Sequence, residues 1–231
     1  MTTKLMVQVV KRAVNSPDVV TIFFTVDGRP VRHLAGQYIT VYFDDTDVKQ
    51  GKAYSFSSCP DDEFSSITVK KIGLFSGKLH ALKVGDSFTI SQPYGFFHAH
   101  SGQSITAIAA GVGIAPIWSI IRHEVGRGTG APIKLLYTNK TCDDIIFRSA
   151  IDELNGNFDN FSSQYFVTRQ PDALYTTRRI AAQQDIGDIS EDQRFYICGS
   201  QDFVKSIWQQ LREVGVGEDS ISTETFFETR V

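Results

Sequence analysis

Two glycines one residue apart, Gly111 and Gly113, interrupt a run of small and apolar residues, AIAAGVGIAPIW. The preceding SITAIAA is a continuous apolar run, which is typical of a parallel strand covered on both faces. The following PIWSIIRHEV has apolar residues at helical spacing, and Pro116 suits a first helical turn. A glycine turn between a strand and a helix can bring free N–H groups and the helix dipole to a phosphate. Tight packing of small residues is the alternative explanation of this turn.

Several other segments combine aromatic, hydroxyl, glycine and thiol residues in a fixed order. They are KAYSFSS at 52–58, GLFSGKL at 73–79, QPYGFF at 92–97, YICG at 196–199 and the terminal ETFFETRV. Together with GVGIAP, these segments resemble the ferredoxin–NADP reductase superfamily over nearly the whole chain. The resemblance implies a flavin-binding barrel followed by a nicotinamide-binding α/β domain. It favours the pyrophosphate-binding explanation of the Gly111 turn, although Pro116 stands where the G-x-G-x-x-G fingerprint has glycine.

The resemblance assigns the flavin to Lys52, Ala53, Tyr54 and Ser55. Tyr54 is expected to pack on the isoalloxazine ring, since a flat aromatic side chain supports a flavin plane by stacking. Ser55 is expected near flavin N5, the hydride acceptor, where a hydroxyl can donate or accept a hydrogen bond. Lys52 departs from the family's Arg and offers a compact charge in place of a planar fork. FAD is the expected flavin, with FMN left open by this departure.

The GLFSGKL segment resembles the family's G-x-x-S segment. The resemblance implies that Gly73 and Ser76 lie at the start of a short helix that faces the flavin phosphate. Serine is a good N-cap, and Gly77 leaves backbone N–H groups accessible. We therefore expect Gly73, Ser76 and Gly77 to contact the flavin.

Cys198 and Gly199 end the apolar strand RFYIC, and the resemblance places them beside the nicotinamide. The Cys198 thiol is not expected to act as a covalent nucleophile, because hydride transfer between two cofactors needs none. The ending ETFF resembles the family's acidic-x-aromatic terminus. It implies Glu224 near the reacting centre and Phe226 over the flavin face that the nicotinamide must reach, with Phe227 as the alternative.

The choice between NADPH and NADH depends on basic residues, because a 2′-phosphate is recognised by Arg or Lys and the NADH ribose often by an acid. After strand IKLLY, the segment TNKT contains Lys140 and no acidic residue, and Thr168-Arg169 resembles the family's Ser-Arg pair. The segment YTTRR resembles a family segment that binds the adenosine phosphate, which implicates Tyr175 and Arg179. These residues favour NADPH, with NADH as the alternative donor.

The candidate flavin and coenzyme residues lie in two regions of the chain with different sequence patterns. Up to residue 100, alternating β-branched and aromatic segments separated by turns predict an antiparallel barrel: LMVQVVKRAV, DVVTIFFTV, QYITVYF, SITVKKI and SFTIS. From residue 101 to 231, strands alternate with helical segments, which predicts a parallel α/β sheet. The later helices are expected at DDIIFRSAIDEL, near TRRIAAQQ and at SQDFVKSIWQQLREVG. The boundary is predicted near residues 99–103.

Composition excludes several classes of protein. The net charge of −3 and the absence of long Lys/Arg runs argue against a nucleic-acid partner. Three distant cysteines, Cys59, Cys142 and Cys198, give neither a disulfide framework nor a C-x-x-C motif. We therefore expect no iron–sulfur cluster and no zinc site, and a reducing, cytoplasmic setting. Cys59 and Cys142 are expected to be structural or incidental. The N-terminus does not resemble a signal peptide, and the apolar stretch at 105–121 is too broken for a membrane span.

These observations together predict a flavin-dependent NAD(P)H oxidoreductase. Hydride is expected to pass from the nicotinamide to FAD, and electrons then to a separate acceptor such as ferredoxin, flavodoxin or an oxygenase component. One alternative is an NAD(P)H:flavin reductase that uses free flavin as its substrate. A second alternative is a non-catalytic subunit that binds flavin or nucleotide and regulates a partner.

Overall fold

The computed structural model describes residues 4–99, 102–170 and 174–226. The chain divides into two compact units. The first contains Met1–Ala99 together with Trp118–His123, and the second contains His100–Ile117 together with Glu124–Val231. Each unit is built on its own sheet.

The first unit is a six-stranded antiparallel sheet in the order β4-β3-β6-β1-β2-β5. Its strands are β1 (Leu5–Ser16), β2 (Val19–Thr25), β3 (Tyr38–Tyr42), β4 (Lys52–Ser55), β5 (Ser65–Lys70) and β6 (Ser87–Ile90), with helix α1 (Leu74–Ala81) between β5 and β6. Beyond β4, Phe56 bridges Ile67 of β5, and the Ser57 N–H donates to the Ser66 carbonyl at 2.8 Å. These contacts join the two edge strands, so the sheet closes into the expected barrel.

The barrel is filled by large apolar side chains from several strands. Ile22, Phe24, Ile39, Ile67 and Ile90 are fully buried, and burial of one such side chain stabilises the folded state by about 1.5–3 kcal/mol. This core explains why the alternating segments form strands. The short β4, which carries KAYS, was not among the strands expected from alternation.

The second unit is a five-stranded sheet in the order β11-β10-β7-β8-β9, and every neighbouring pair is parallel. Its strands are β7 (Ile105–Ala110), β8 (Ile133–Asn139), β9 (Phe161–Val167), β10 (Arg194–Ser200) and β11 (Ile221–Phe226). Its helices are α2 (Ile114–Gly126), whose residues 118–123 belong to the first unit, α3 (Arg148–Asn157), α4 (Ala182–Asp185) and α5 (Gln201–Glu213). The parallel α/β prediction is confirmed.

Two helix predictions were inaccurate in detail. The helix expected over 143–154 is a 3₁₀ turn, Cys142–Asp144, followed by α3, and Phe147 between them has a left-handed φ of 61°. The helix expected near TRRIAAQQ is only the four-residue α4. Among the described residues, no helix is long and apolar enough to cross a membrane.

The strand order reverses between β7 and β10. From β7 the chain builds outward through β8 and β9, and it then returns to the other side of β7 for β10 and β11. In open α/β sheets, ligands bind outside the carboxyl ends of the strands at such a switch point. The Gly111–Gly113 turn is a 3₁₀ turn that follows the carboxyl end of β7 at this place.

The two glycines of this turn are needed for different reasons. A Cβ on Gly113 would lie 2.4 Å from the Cys198 carbonyl oxygen and 2.9 Å from the Gly199 Cα, so only glycine fits beside β10. Gly111 faces open space but has a left-handed φ of 53°. The Tyr137 hydroxyl supports the turn from β8 by donating to the Gly111 carbonyl at 2.9 Å.

We expect Gly113→Ala to destabilise the protein more than Gly111→Ala. The first variant forces backbone apart and should cost about 3 kcal/mol, whereas the second only places a Cβ at a left-handed φ and should cost about 1 kcal/mol. Urea unfolding of both variants beside the parent measures the difference. Equal losses of stability would contradict the close approach of the Gly113 turn to β10.

Candidate functional site

Strand β4 presents the predicted flavin residues with alternating exposure. Ser55 is buried and Ala53 exposed, while Tyr54 is half-buried and packs against the barrel core. The Tyr54 ring lies nearly parallel to that of Phe75 on α1, with 17° between the planes and 6.4 Å between the centroids. Burial raises the pKa of Tyr54 above its ordinary value, so its hydroxyl stays protonated. The Phe75 contact was missed from the sequence, although Phe75 lies inside the GLFSGKL motif.

The first turn of α1 lies close to a cation. The Lys52 ammonium is 5.8 Å from the centroid of Phe75, which lies in that turn. The turn contains no acidic residue, and the helix dipole places partial positive charge at this end. Farther along α1, Lys78 forms an ion pair with Asp45. Lys52 and the start of α1 therefore favour an anionic group.

Ser76 does not cap α1 as the sequence predicted. The helix begins at Leu74 with Gly73 as its N-cap, which places Ser76 within the first turn. The buried Ser76 hydroxyl accepts hydrogen bonds from the N–H groups of Ile72, at 2.9 Å, and Gly73, at 3.1 Å. Ser76 therefore stabilises the start of α1 from inside its first turn, by binding the backbone N–H groups of the two residues that precede the helix. A Cβ on Gly77 would meet only the Lys71 side chain, at 3.9 Å.

In the second unit, the residues predicted to bind the nicotinamide nucleotide mostly follow the carboxyl ends of parallel strands. They are Gly111 and Gly113 after β7, with the buried Pro116 in the first turn of α2, Lys140 after β8, Thr168 and Arg169 after β9, and Cys198 and Gly199 near the end of β10. Parallel strands end at one edge of the sheet, so the fold brings these residues to the same edge.

Cys198 is fully buried and pairs in register with Glu224 of β11. Burial, together with the negative charge of Glu224, raises the pKa of the Cys198 thiol well above its ordinary value. The thiol therefore stays protonated at neutral pH, in keeping with a residue that is not a nucleophile. Phe226 ends β11 opposite Ser200, whereas Phe227 lies outside the described residues.

Lys140 and Arg169 extend from neighbouring backbone positions. The Arg169 N–H donates to the Lys140 carbonyl at 2.8 Å, and the Thr168 N–H donates to the Asn139 carbonyl at 3.0 Å. Lys140, Thr168 and Arg169 are all exposed. Two exposed cations on adjacent strand ends are suited to an anion such as a phosphate monoester.

Tyr175 and Arg179 lie on a segment that an ion pair holds in place. Arg178 donates to both carboxylate oxygens of Asp185, at 2.8 and 2.6 Å, and the Ala181 N–H donates to the same carboxylate at 2.7 Å. Burial opposes ionisation of Asp185, but these hydrogen bonds outweigh it and lower its pKa. Arg178 thus has a structural partner, while Arg179 is exposed.

The two residues that order this edge, Asp185 and Tyr137, were missed from the sequence. Asp185 stands in a segment with no clear periodicity, and its partner is a neighbouring arginine of the YTTRR motif. Tyr137 follows two leucines in β8, and nothing in the sequence indicates that its hydroxyl contacts Gly111. Tyr175 packs under Arg148, whose guanidinium lies 5.1 Å from the ring centroid.

Comparisons with known proteins support both units. Residues 107–209 match the model of the oxidoreductase NAD-binding domain. A flavohemoprotein of Bacillus subtilis (strain 168) is 31% identical over 215 residues, which are 87% of this chain and 53% of that protein. The toluate 1,2-dioxygenase electron transfer component of Pseudomonas putida is 28% identical over 84% of this chain and 58% of that protein. The chain thus spans little more than half the length of these curated relatives.

A solved structure extends the similarity to the whole fold. The flavohem-like FAD/NAD-binding domain of nitric oxide dioxygenase from Vibrio cholerae O1 biovar El Tor has a TM-score of 0.85 and 25% identity, and the match covers 96% of this chain and 98% of that one. The barrel, the parallel sheet and the matched NAD-binding residues agree with the resemblance of the sequence motifs. The chain therefore resembles the FAD/NAD-binding modules of the ferredoxin–NADP reductase superfamily.

Proposed function

We propose that this chain is a flavin-dependent NAD(P)H reductase that passes electrons to a separate acceptor, such as ferredoxin, flavodoxin or an oxygenase component. The observation that carries the proposal is the gathering of the predicted nucleotide-binding residues around the switch point of the second unit, where Gly113 meets Cys198. An electron transfer component is among the relatives, which supports an acceptor of the oxygenase type.

The residues of the first unit fit FAD. Tyr54 offers a half-buried ring for stacking, and Lys52 with the start of α1 offers positive charge to a flavin phosphate. Gly73, Ser76 and Gly77 shape that helix start, and Ala53 and Ser55 complete the β4 segment, with Ser55 assigned to the flavin N5. When bound, the flavin supplies the redox chemistry, because it can accept a hydride and release electrons singly or in pairs.

The residues of the second unit fit a nicotinamide dinucleotide. The Gly111–Gly113 turn and the start of α2 would hold the pyrophosphate, because glycine permits close approach of backbone to ligand. Cys198, Gly199 and Glu224 would border the nicotinamide, and Phe226 would cover the flavin face until the coenzyme displaces it. Hydride transfer needs the two rings held together, so orientation supplies most of the rate enhancement.

NADPH is the proposed donor. Lys140 and Arg169 would bind the 2′-phosphate, with Thr168, Tyr175 and Arg179 completing the adenosine end. The buried Tyr175 hydroxyl has no hydrogen-bond partner among the described residues, and a ligand atom at this end would satisfy it.

One observation favours a second candidate, a reductase that takes free flavin as its substrate. Lys52 stands where the family has Arg, and a single ammonium cannot grip a phosphate with two parallel hydrogen bonds. Weaker retention of the flavin would follow from this difference.

Anaerobic mixing with NADPH tests the proposal. We expect the purified protein to keep an oxidised flavin spectrum after desalting, and NADPH to bleach it. Loss of flavin on desalting, with turnover restored by added FAD or FMN, would establish the free-flavin reductase instead. Retained flavin that neither NADPH nor NADH bleaches would contradict both candidates and favour a non-catalytic subunit.

We expect Tyr54→Ala to loosen the flavin, whereas Tyr54→Phe keeps it. The ring contributes roughly 1 kcal/mol by stacking beyond its buried area, so Kd should rise at least about fivefold in the alanine variant. Fluorescence titration of flavin-free protein with FAD measures the two affinities. Parent-like affinity in Tyr54→Ala would remove Tyr54 from the flavin site.

We expect Arg169→Ala to raise KM for NADPH about tenfold or more, because a charge-assisted hydrogen bond contributes about 1.5–3 kcal/mol. The KM for NADH should stay close to that of the parent, so NADH serves as the control for this variant. Steady-state kinetics with both coenzymes provides the measurement. An equal rise for NADPH and NADH would refute the 2′-phosphate assignment.

A further inference from the structure

A cysteine, an aspartate and a histidine meet in the first unit, in and beside the turn that follows the KAYSFSS segment. Cys59 and Asp61 lie in the turn beyond β4, and His123 lies on the part of α2 that belongs to this unit. The Cys59 Sγ is 3.8 Å from the His123 Nδ1, and an Asp61 carboxylate oxygen is 3.8 Å from the same nitrogen. The three ligand atoms all lie within 4.8 Å of one another.

Neighbouring contacts hold the turn in place without using these three side chains. Arg122 donates to both carboxylate oxygens of Asp62, each at 2.6 Å, and Asp62 accepts the Cys59 N–H at 2.9 Å. The Ser119 hydroxyl donates to the Ser58 carbonyl at 2.6 Å. The turn is therefore attached to α2 on either side of the cluster, so its three side chains need little ordering before they bind a ligand.

Charge and exposure in the cluster favour a cation. Arg122 neutralises Asp62, whereas the Asp61 carboxylate remains as a negative charge whose side chain is 88% exposed. Cys59 is buried and His123 half-buried. The cluster thus combines a buried sulfur ligand with an accessible oxygen ligand, which leaves a route for an ion and its water.

The spacing suits a tetrahedral metal. Zinc lies about 2.3 Å from thiolate sulfur and about 2.0–2.1 Å from nitrogen and oxygen, so tetrahedral ligands are about 3.6 Å apart for S and N and about 3.3 Å apart for N and O. The observed 3.8 Å separations need to shorten by only a few tenths of an ångström. Thiolate and imidazole ligands select zinc-like ions and not magnesium or calcium, which prefer oxygen.

We propose that Cys59, Asp61 and His123 form a binding site for Zn²⁺ or a divalent ion of similar softness, with water as the fourth ligand. On binding, the sulfur–metal bond forms as the thiol gives its proton to solvent. Burial raises the pKa of Cys59, so the metal competes with that proton. The site shares none of the residues proposed to bind flavin or coenzyme.

Cobalt titration tests this site, because thiolate-bound Co²⁺ gives a charge-transfer absorption that oxygen and nitrogen ligands do not. The full chain would be treated with a chelator, desalted and titrated with Co²⁺ under reducing conditions. We expect about one equivalent to bind with that absorption, and Zn²⁺ but not Mg²⁺ to displace it. Cys59→Ser should abolish the absorption, and the control Cys142→Ser should keep it.

Asp61→Asn is the variant least able to disturb folding, because the Asp61 side chain is mostly exposed. It should weaken cobalt binding about tenfold or more, as should His123→Ala. No cobalt absorption in the parent would overturn the proposal. So would an absorption that persists in Cys59→Ser, or an unchanged affinity in Asp61→Asn.

Discussion

The second unit depends on a steric constraint between two backbone segments. The turn after β7 passes so close to β10 that the Cys198 carbonyl oxygen lies 2.4 Å from the position of a Cβ on Gly113. A residue with a side chain there would push apart the segments that flank the reversal of strand order. Gly199 is also confined, but by side chains, since a Cβ on it would lie 2.7 Å from the Phe203 ring and 3.0 Å from the Ala110 Cβ. Small residues on both segments make this close approach possible.

The other features of the same edge stabilise it or supply charge to it. Tyr137 holds the Gly111 carbonyl from β8, and Asp185 holds the segment that carries Tyr175 by accepting from Arg178. Side chains with fixed partners thus form the framework, while the exposed Lys140 and Arg169 remain available for an anion. The barrel shows the same division, because Ser76 is committed to the start of α1 and Lys52 supplies charge beside it. This separation of supporting and binding residues underlies the proposed reductase.

The sequence predicts much of this arrangement, because the relevant signals are local. Alternation marks the barrel strands, and apolar runs between helical segments mark the parallel sheet. The glycine pattern predicts the turn between a strand and a helix, whereas the reversal of strand order beside it is known only from the fold. Local patterns fail where a specific contact decides the structure. Serine is a residue type that often caps helices, but the Ser76 hydroxyl lies within the first turn and accepts hydrogen bonds from the N–H groups of the two residues before the helix. Phe147, whose φ is left-handed, separates the 3₁₀ turn from α3 in a segment whose sequence pattern predicts a single helix.

Contacts between residues distant in sequence are the part that patterns cannot supply. Cys59 and His123 stand 64 positions apart in the sequence, so the absence of a C-x-x-C motif does not exclude the metal site proposed for them. Phe75 lies within a recognised motif, yet only the fold shows its ring parallel to Tyr54. Roles carried over from the family resemblance, such as those of Ser55, Glu224 and Phe226, remain predictions because they concern bound cofactors.

A crystal structure of the protein with FAD and NADP⁺ would show where the dinucleotide binds. We expect pyrophosphate oxygens within hydrogen-bond distance of the backbone N–H groups at the Gly111–Gly113 turn and the start of α2. We also expect the 2′-phosphate beside Lys140 and Arg169. A dinucleotide bound elsewhere on the chain, away from the Gly111–Gly113 turn, would contradict this placement.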